Sequence, residues 1–192
     1  MKLIDNYSVA LKMMTRSPNG EGNHEIPQSI KEGIKKIFGK YLSPQEVAIE
    51  ITEAVRKQGD SAIKKYTSMI DQVELDSLVV DEKEMNDAVA TLDKEVFDAL
   101  VHAADRITEF HKSTIRKSWI DHESGLGEIM RPLERIGLYV PGGRASYPST
   151  VLMGSIPAKV AGVKEVAICS PARKDCTIAP IILAAARIAG IS

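Results

Sequence analysis

Two short runs that are apolar at nearly every position, Arg135 to Val140 and Glu165 to Ser170, constrain this chain more than any other feature. Each is followed by a helical pattern, Ser149 to Ala161 with Ser149 or Thr150 as its cap, and the Ala-rich Thr177 to Ala189 ending at Gly190. Strands without polar alternation belong to a parallel sheet covered on both faces, and strand–helix–strand–helix is the order of such a sheet. The fold class is therefore α/β. Two parallel strands do not stand alone in water, so further strands must complete the sheet. Upstream, Leu78 to Val80 is the one short strand candidate. The expectation is that the chain stops partway through a larger protein.

The first 120 residues are read mainly as helices. Residues 1 to 42 form a weakly patterned N-terminal arm: Ser17 to Gly22 is a polar loop, and Ile30, Ile34, Ile37 and Phe38 mark one short amphipathic helix. Ser43, Pro44 and Glu46 then supply an N-cap, a first-turn proline and a capping-box acid for a helix over 44–57. Gly59 ends it, and Asp60 opens a second helix to about Met69. Asp81 with Glu84, then Asp93, open two more; the longer runs to about His111 with Val96, Leu100, Ala103, Ile107 and Phe110 as its buried stripe. After Trp119 glycines multiply and the period changes, which places a second module there.

Composition narrows the function classes. A net charge of −1, with 25 basic and 26 acidic residues interspersed, excludes the electrostatic footprint of a nucleic-acid binder. No apolar run approaches the ~20 residues that span a bilayer, and the first residues do not resemble a secretory signal, so the default address is the cytoplasm. Cys169 and Cys176 suit buried or idle thiols in a reducing compartment better than a disulfide or a CxxC unit. The histidines at 24, 102, 111 and 122 lack metal-ligand spacing. Gly125-Leu-Gly127 lacks the third glycine of a dinucleotide fingerprint and reads as a flexible loop, and Gly33 to Gly39-Lys40 has one residue too many for a P-loop and reads as a helix end.

One segment stands above this background, Tyr139-Val-Pro141-Gly142-Gly143-Arg144 leading to Tyr147-Pro148-Ser149-Thr150. A strand that empties through Pro-Gly-Gly into a helix presents backbone N–H groups where ligands of α/β sheets bind. Gly142 and Gly143 permit close backbone approach, Tyr139 could stack on a base, and Arg144 could face an anion. On the residues alone, a binding loop and a plain tight turn are equally good readings.

The runs Arg131-Pro-Leu-Glu-Arg-Ile-Gly-Leu-Tyr-Val-Pro-Gly-Gly-Arg144, Tyr147-Pro-Ser-Thr-Val-Leu-Met153 and Ile156-Pro-Ala-Lys-Val-Ala-Gly162 closely resemble the signature of the histidinol dehydrogenase family. Val55 to Ala62, Ala103 to His111 and Ala179 to Ala186 are similar to it as well, so the resemblance covers about 43 to 191. It implies a zinc-dependent, NAD-linked oxidation of L-histidinol through the aldehyde to L-histidine, the last step of histidine biosynthesis. It also implies two incomplete Rossmann-like domains, an N-terminal arm and a homodimer. On that reading 1–42 is the arm, 43–134 the mainly helical first part of a discontinuous α/β domain, and 135–192 the beginning of a second. Tyr139 matches the family's NAD-contacting tyrosine, and Pro141 belongs to the same loop. The family's zinc ligands and catalytic Glu-His pair match nothing here, so no catalytic or metal residue is assigned and the chain alone is expected to be inactive. Where the family has a Phe-Asp-Gly turn, this chain has Ile70-Asp71-Gln72. The competing reading is a non-catalytic nucleotide-binding or assembly module that needs a partner chain. A third is an unstable remnant, with Ile181, Ile182, Leu183 and Ile188 exposed and prone to aggregate.

Overall fold

The computed structural model describes residues 4–14, 26–142 and 145–191. The predicted polar loop Ser17 to Gly22, His24, Gly143 and Arg144 lie outside them. The chain divides into two compact units, Met1–Glu53 and Ala54–Ser192.

The first unit holds helices α1 (Tyr7–Met14) and α2 (Gln28–Phe38) and most of α3 (Pro44–Gln58). The start of α3 follows from four residues. The Ser43 N–H donates to Glu46 Oε2 at 2.7 Å, and the Glu46 N–H donates back to Ser43 Oγ at 3.3 Å, so each residue's side chain accepts from the other's otherwise orphaned backbone donor. The Ser43 N–H first, then the Ser43 hydroxyl, hold the Glu46 carboxyl below the usual carboxylate range. Helix α2 stops where Gly39 turns left-handed (φ 73°) and donates to the Lys35 carbonyl, as its sequence suggests.

The second unit begins with the end of α3 and continues as α4 (Asp60–Asp71), α5 (Glu82–Ala90) and α6 (Lys94–Thr114). A hairpin of β1 (Trp119–Asp121) and β2 (Leu126–Glu128) precedes β3 (Arg135–Tyr139), α7 (Pro148–Val160), β4 (Glu165–Cys169) and α8 (Pro180–Ile188). Strands β3 and β4 pair in parallel, Arg135 opposite Glu165 through Tyr139 opposite Cys169. Mixed α/β architecture is thus the observed class, with two two-stranded sheets among the described residues.

The core lies between the helices and one face of β3–β4. Leu152, Val151 and Ile156 of α7, Val166 of β4, Ile182 and Leu183 of α8, and Met85 of α5 form a single buried cluster. Gly154 lets α7 approach β3 closely, because a Cβ there would stand 2.9 Å from Leu138 Cδ1 and that side chain would have to shift. Ser155 is buried beside it, and among the described residues its hydroxyl has no hydrogen-bond partner.

Several expectations are corrected. Leu78 to Val80 is not a strand: the Ser77 hydroxyl both accepts from the Val79 N–H and donates to the Val79 carbonyl, and this local turn occupies the groups a ladder would need. Strands β3 and β4 are not covered on both faces, since Arg135, Gly137 and Tyr139 are exposed while Ile136 and Leu138 pack inward. Gly125 to Gly127 is no flexible loop but the turn and second strand of the hairpin. Helix α7 begins at Pro148, with neither Ser149 nor Thr150 as its N-cap. Helix α8 begins three residues late, because the Asp175 carboxylate takes the Thr177 N–H and hydroxyl, and Pro180 then sets the first turn. Its apolar face is not exposed: Ile182 and Leu183 are buried, and Ile181 and Ile188 pack against the core. On α6, Val96 and Phe110 face outward and Ala104 is the buried member. The departure at Gln72 has a backbone consequence, because that residue caps α4 in a left-handed conformation (φ 58°) that glycine adopts without penalty.

Candidate functional site

The carboxyl ends of β3 and β4 meet side by side. Beyond the last ladder pair, the Val140 N–H donates to the Cys169 carbonyl at 2.8 Å, so pairing continues one residue into the loops. Tyr139 closes β3 and is two-thirds exposed (66%), and Pro141, two residues on, is also exposed. Gly142 is then pressed against the other strand's loop: a Cβ would lie 2.9 Å from Pro171 Cγ and 3.2 Å from Ser170 Oγ. Here the absence of a side chain is what lets the two strand ends touch.

Below this contact lies a crevice of about 660 Å³, walled by Gly142, Ser146, Ser170 and Arg173, by Asp93 and its neighbours at the start of α6, and by the first turn of α8. The loop carrying Arg173 is held by its backbone, whose N–H donates to the Thr177 carbonyl at 2.8 Å and whose carbonyl accepts from the Cys176 N–H at 2.9 Å. Cys176 takes a left-handed conformation (φ 64°) and its thiol donates to the Glu74 carbonyl at 3.2 Å, tying the loop to the segment after α4. The Thr177 hydroxyl, then its N–H, then the Arg173 charge hold the Asp175 carboxyl below its ordinary range.

The site-residue expectations fall at one place in part. Tyr139 and Pro141 sit at the strand end, beside the crevice and not in its wall. Arg144 lies outside the described residues. Sequence reasoning passed over Ser170, Arg173 and Asp93. Ser170-Pro171-Ala172-Arg173 follows the second strand as Val140-Pro141-Gly142 follows the first, so the rule that placed a site after β3 applied equally after β4.

Cys169 and Cys176 are free and exposed, not buried. Among the described residues no three His, Cys, Asp or Glu side chains gather as metal donors, so the residues present do not fit a zinc centre. No helix of the described residues is long and apolar enough to cross a membrane. A larger trough of about 780 Å³ runs between α6, α7 and α8, lined by Phe97, Ala104, Ile156 and Val160 with Lys159 and Arg187 at its margin. It is mostly apolar and shares no lining residue with the crevice at the strand ends, the character of a packing face more than of a polar site.

The family model for histidinol dehydrogenase matches residues 40–192. A histidinol dehydrogenase of Oceanobacillus iheyensis is 48% identical over 147 residues, 75% of this chain and 34% of that protein. One from Dehalococcoides mccartyi is 38% identical over all 192 residues, 43% of its own length. The crystal structure of histidinol dehydrogenase from Elizabethkingia anophelis superposes with a TM-score of 0.72 at 33% identity, over 87% of this chain and 40% of that one. The chain therefore spans well under half the length of these relatives, in the part that contains the β3–α7–β4 unit and its crevice. By the match over residues 40–192, this chain belongs to the histidinol dehydrogenase family.

Proposed function

We propose that this chain supplies the nucleotide seat of an NAD-linked histidinol dehydrogenase, an oxidoreductase of histidine biosynthesis, and that zinc and the proton-transfer groups come from polypeptide outside these 192 residues. The observation that carries this reading is the family match running through a parallel strand pair whose loops meet at Gly142 and Pro171. The division near residues 42 and 134, a Rossmann-like character for the second module, a homodimer or association with the remaining portion, and a cytoplasmic address belong to the same reading.

NAD, when bound, supplies the hydride acceptor. This chain's residues bind and orient. The exposed Tyr139 ring, standing at the strand end, offers a face for stacking a base or nicotinamide. Pro141, with its fixed φ, leads the chain into Gly142, which keeps the strand ends close. The proposed role of the chain alone is to hold a reactant, the reaction itself being left to the rest of the enzyme. L-Histidinol, the substrate for which the family is named, is reached only when the rest of the enzyme is present.

Calorimetry of NAD binding to the chain and to Tyr139→Ala tests the seat. Loss of a stacked ring should weaken binding about tenfold. Equal heats would remove Tyr139 from any cofactor role, and sustained NADH production by this polypeptide with histidinol and zinc would defeat the division of labour.

A further inference from the structure

Resting on the reading that this chain works with polypeptide outside its 192 residues, we propose that the trough between α6, α7 and α8 seats a helix of that polypeptide, its apolar stripe on the trough floor and its acidic side chains facing Lys112 and Lys159. Phe97, Val101, Ala104 and Thr108 of α6 line the trough at intervals of four, three and four residues, and Lys112 follows after four more. That spacing keeps them on one side of α6, as a seam about 22 Å long. Across from it the walls are α7 and α8. Ala104, Ile156 and Ala189 belong both to the trough lining and to the buried cluster, so the core itself forms the floor.

Shape, charge and the length of the relatives identify the occupant. A long groove with one apolar seam fits a helix laid along it, whereas a compact metabolite would fill only one end. The margin carries Lys112, Lys159 and Arg187 against a single carboxylate, Asp105. Arg187 is already engaged by Glu82 at 3.4 Å, while Lys112 and Lys159 make no ion pair among the described residues. A second copy of this chain docked through the same face would set that cationic margin against itself, and like charges across an interface oppose association. Acidic flanks on an incoming helix complement it instead. More than half of each longer relative lies outside the part matched here, which is ample polypeptide to supply the helix. Because the trough and the crevice at the strand ends share no lining residue, docking and nucleotide binding are separable.

The probes are overlapping labelled peptides, each long enough for about five helical turns, that tile the part of the Oceanobacillus iheyensis protein outside the match. The chain is titrated into each and binding is read by fluorescence anisotropy. One stretch, apolar at helical spacing and flanked by acids, should bind and gain helicity, and a scrambled peptide of the same composition should not. Val101→Asp should abolish that binding. Lys112→Glu combined with Lys159→Glu, both at exposed positions and verified as folded by circular dichroism, should weaken it about tenfold, and Lys57→Glu, at an exposed position outside the trough, should leave it unchanged. Calorimetry of NAD binding to the same variants should match the wild type. If no peptide binds, or if binding survives the double lysine reversal, the docking assignment is overturned. Dimerisation of the chain in sedimentation experiments that Val101→Asp abolishes would give the trough to a second copy and overturn it equally. A chain that takes the peptide but not NAD keeps the docking surface and loses the nucleotide seat, and the opposite pattern does the reverse.

Discussion

The two sheets of the second unit keep their strands together by opposite means. The β1–β2 hairpin closes through a local turn, with Trp119 paired to Glu128 and every residue of both strands exposed. The β3–β4 pair joins strands thirty residues apart and is held by helices on one face, with Leu152 of α7 only 1% exposed. A short-range pairing needs little beyond its turn; a long-range parallel pairing exists only because a crossover helix brings apolar surface with it. Burial, not the number of ladder bonds, separates the two.

The largest test of that contrast is Leu152→Ala. Emptying this fully buried site should lower unfolding stability by about 3 kcal/mol, read from the denaturant midpoint of the helical signal. The native emission of Trp119, the one tryptophan of the chain, should stay as it is, since the hairpin does not depend on the core. Gly127→Ala should do the reverse. A Cβ there would lie 2.8 Å from the Trp119 carbonyl oxygen and 3.2 Å from Ile120 Cα, and backbone cannot step aside. The hairpin should open, changing Trp119 emission, while the helical melt loses no more than about 0.5 kcal/mol. A large fall in the global midpoint would mean that the hairpin is part of the cooperative unit.

The smallest effect is one of pH. The Ser124 hydroxyl at 2.5 Å, then the Glu123 N–H, hold the Asp121 carboxyl below its ordinary range. A carboxyl lowered in the folded state contributes stability above its unfolded pKa of ~3.9, and that contribution fades as pH falls through the folded value. Trp119 emission should therefore begin to shift at acid pH before the helical signal does, and Ser124→Ala should move that shift toward higher pH. Coincident transitions in both variants would show that the turn does not close the hairpin.

Features written in adjacent residues were legible before the fold was known. The Ser43–Glu46 capping box is one; the strand, helix, strand, helix order after Arg135 is another, because it rests on period and punctuation. Features that depend on side-chain competition were not. Ser77 turned a strand-like triplet into a bend, and Asp175 withheld Thr177 from α8. The hairpin escaped notice because Trp119-Ile120 and Leu126-Gly127 carry no alternation, while α1, lying in the weakly patterned arm, offers no acidic residue in its first turn. At the candidate site, the loop after β3 was visible through its glycines. Arg173 was not, since nothing local ties an arginine four residues after one strand to a glycine three residues after another.

The meeting of Gly142 with the Pro171 ring has a mechanical meaning. A bare α-carbon seated on a stiff five-membered ring leaves no slack for one strand end to slide past the other. The tips of β3 and β4 therefore behave as one hinge leaf: a substituent added to either is felt by both, and whatever grips the first loop also steers the second.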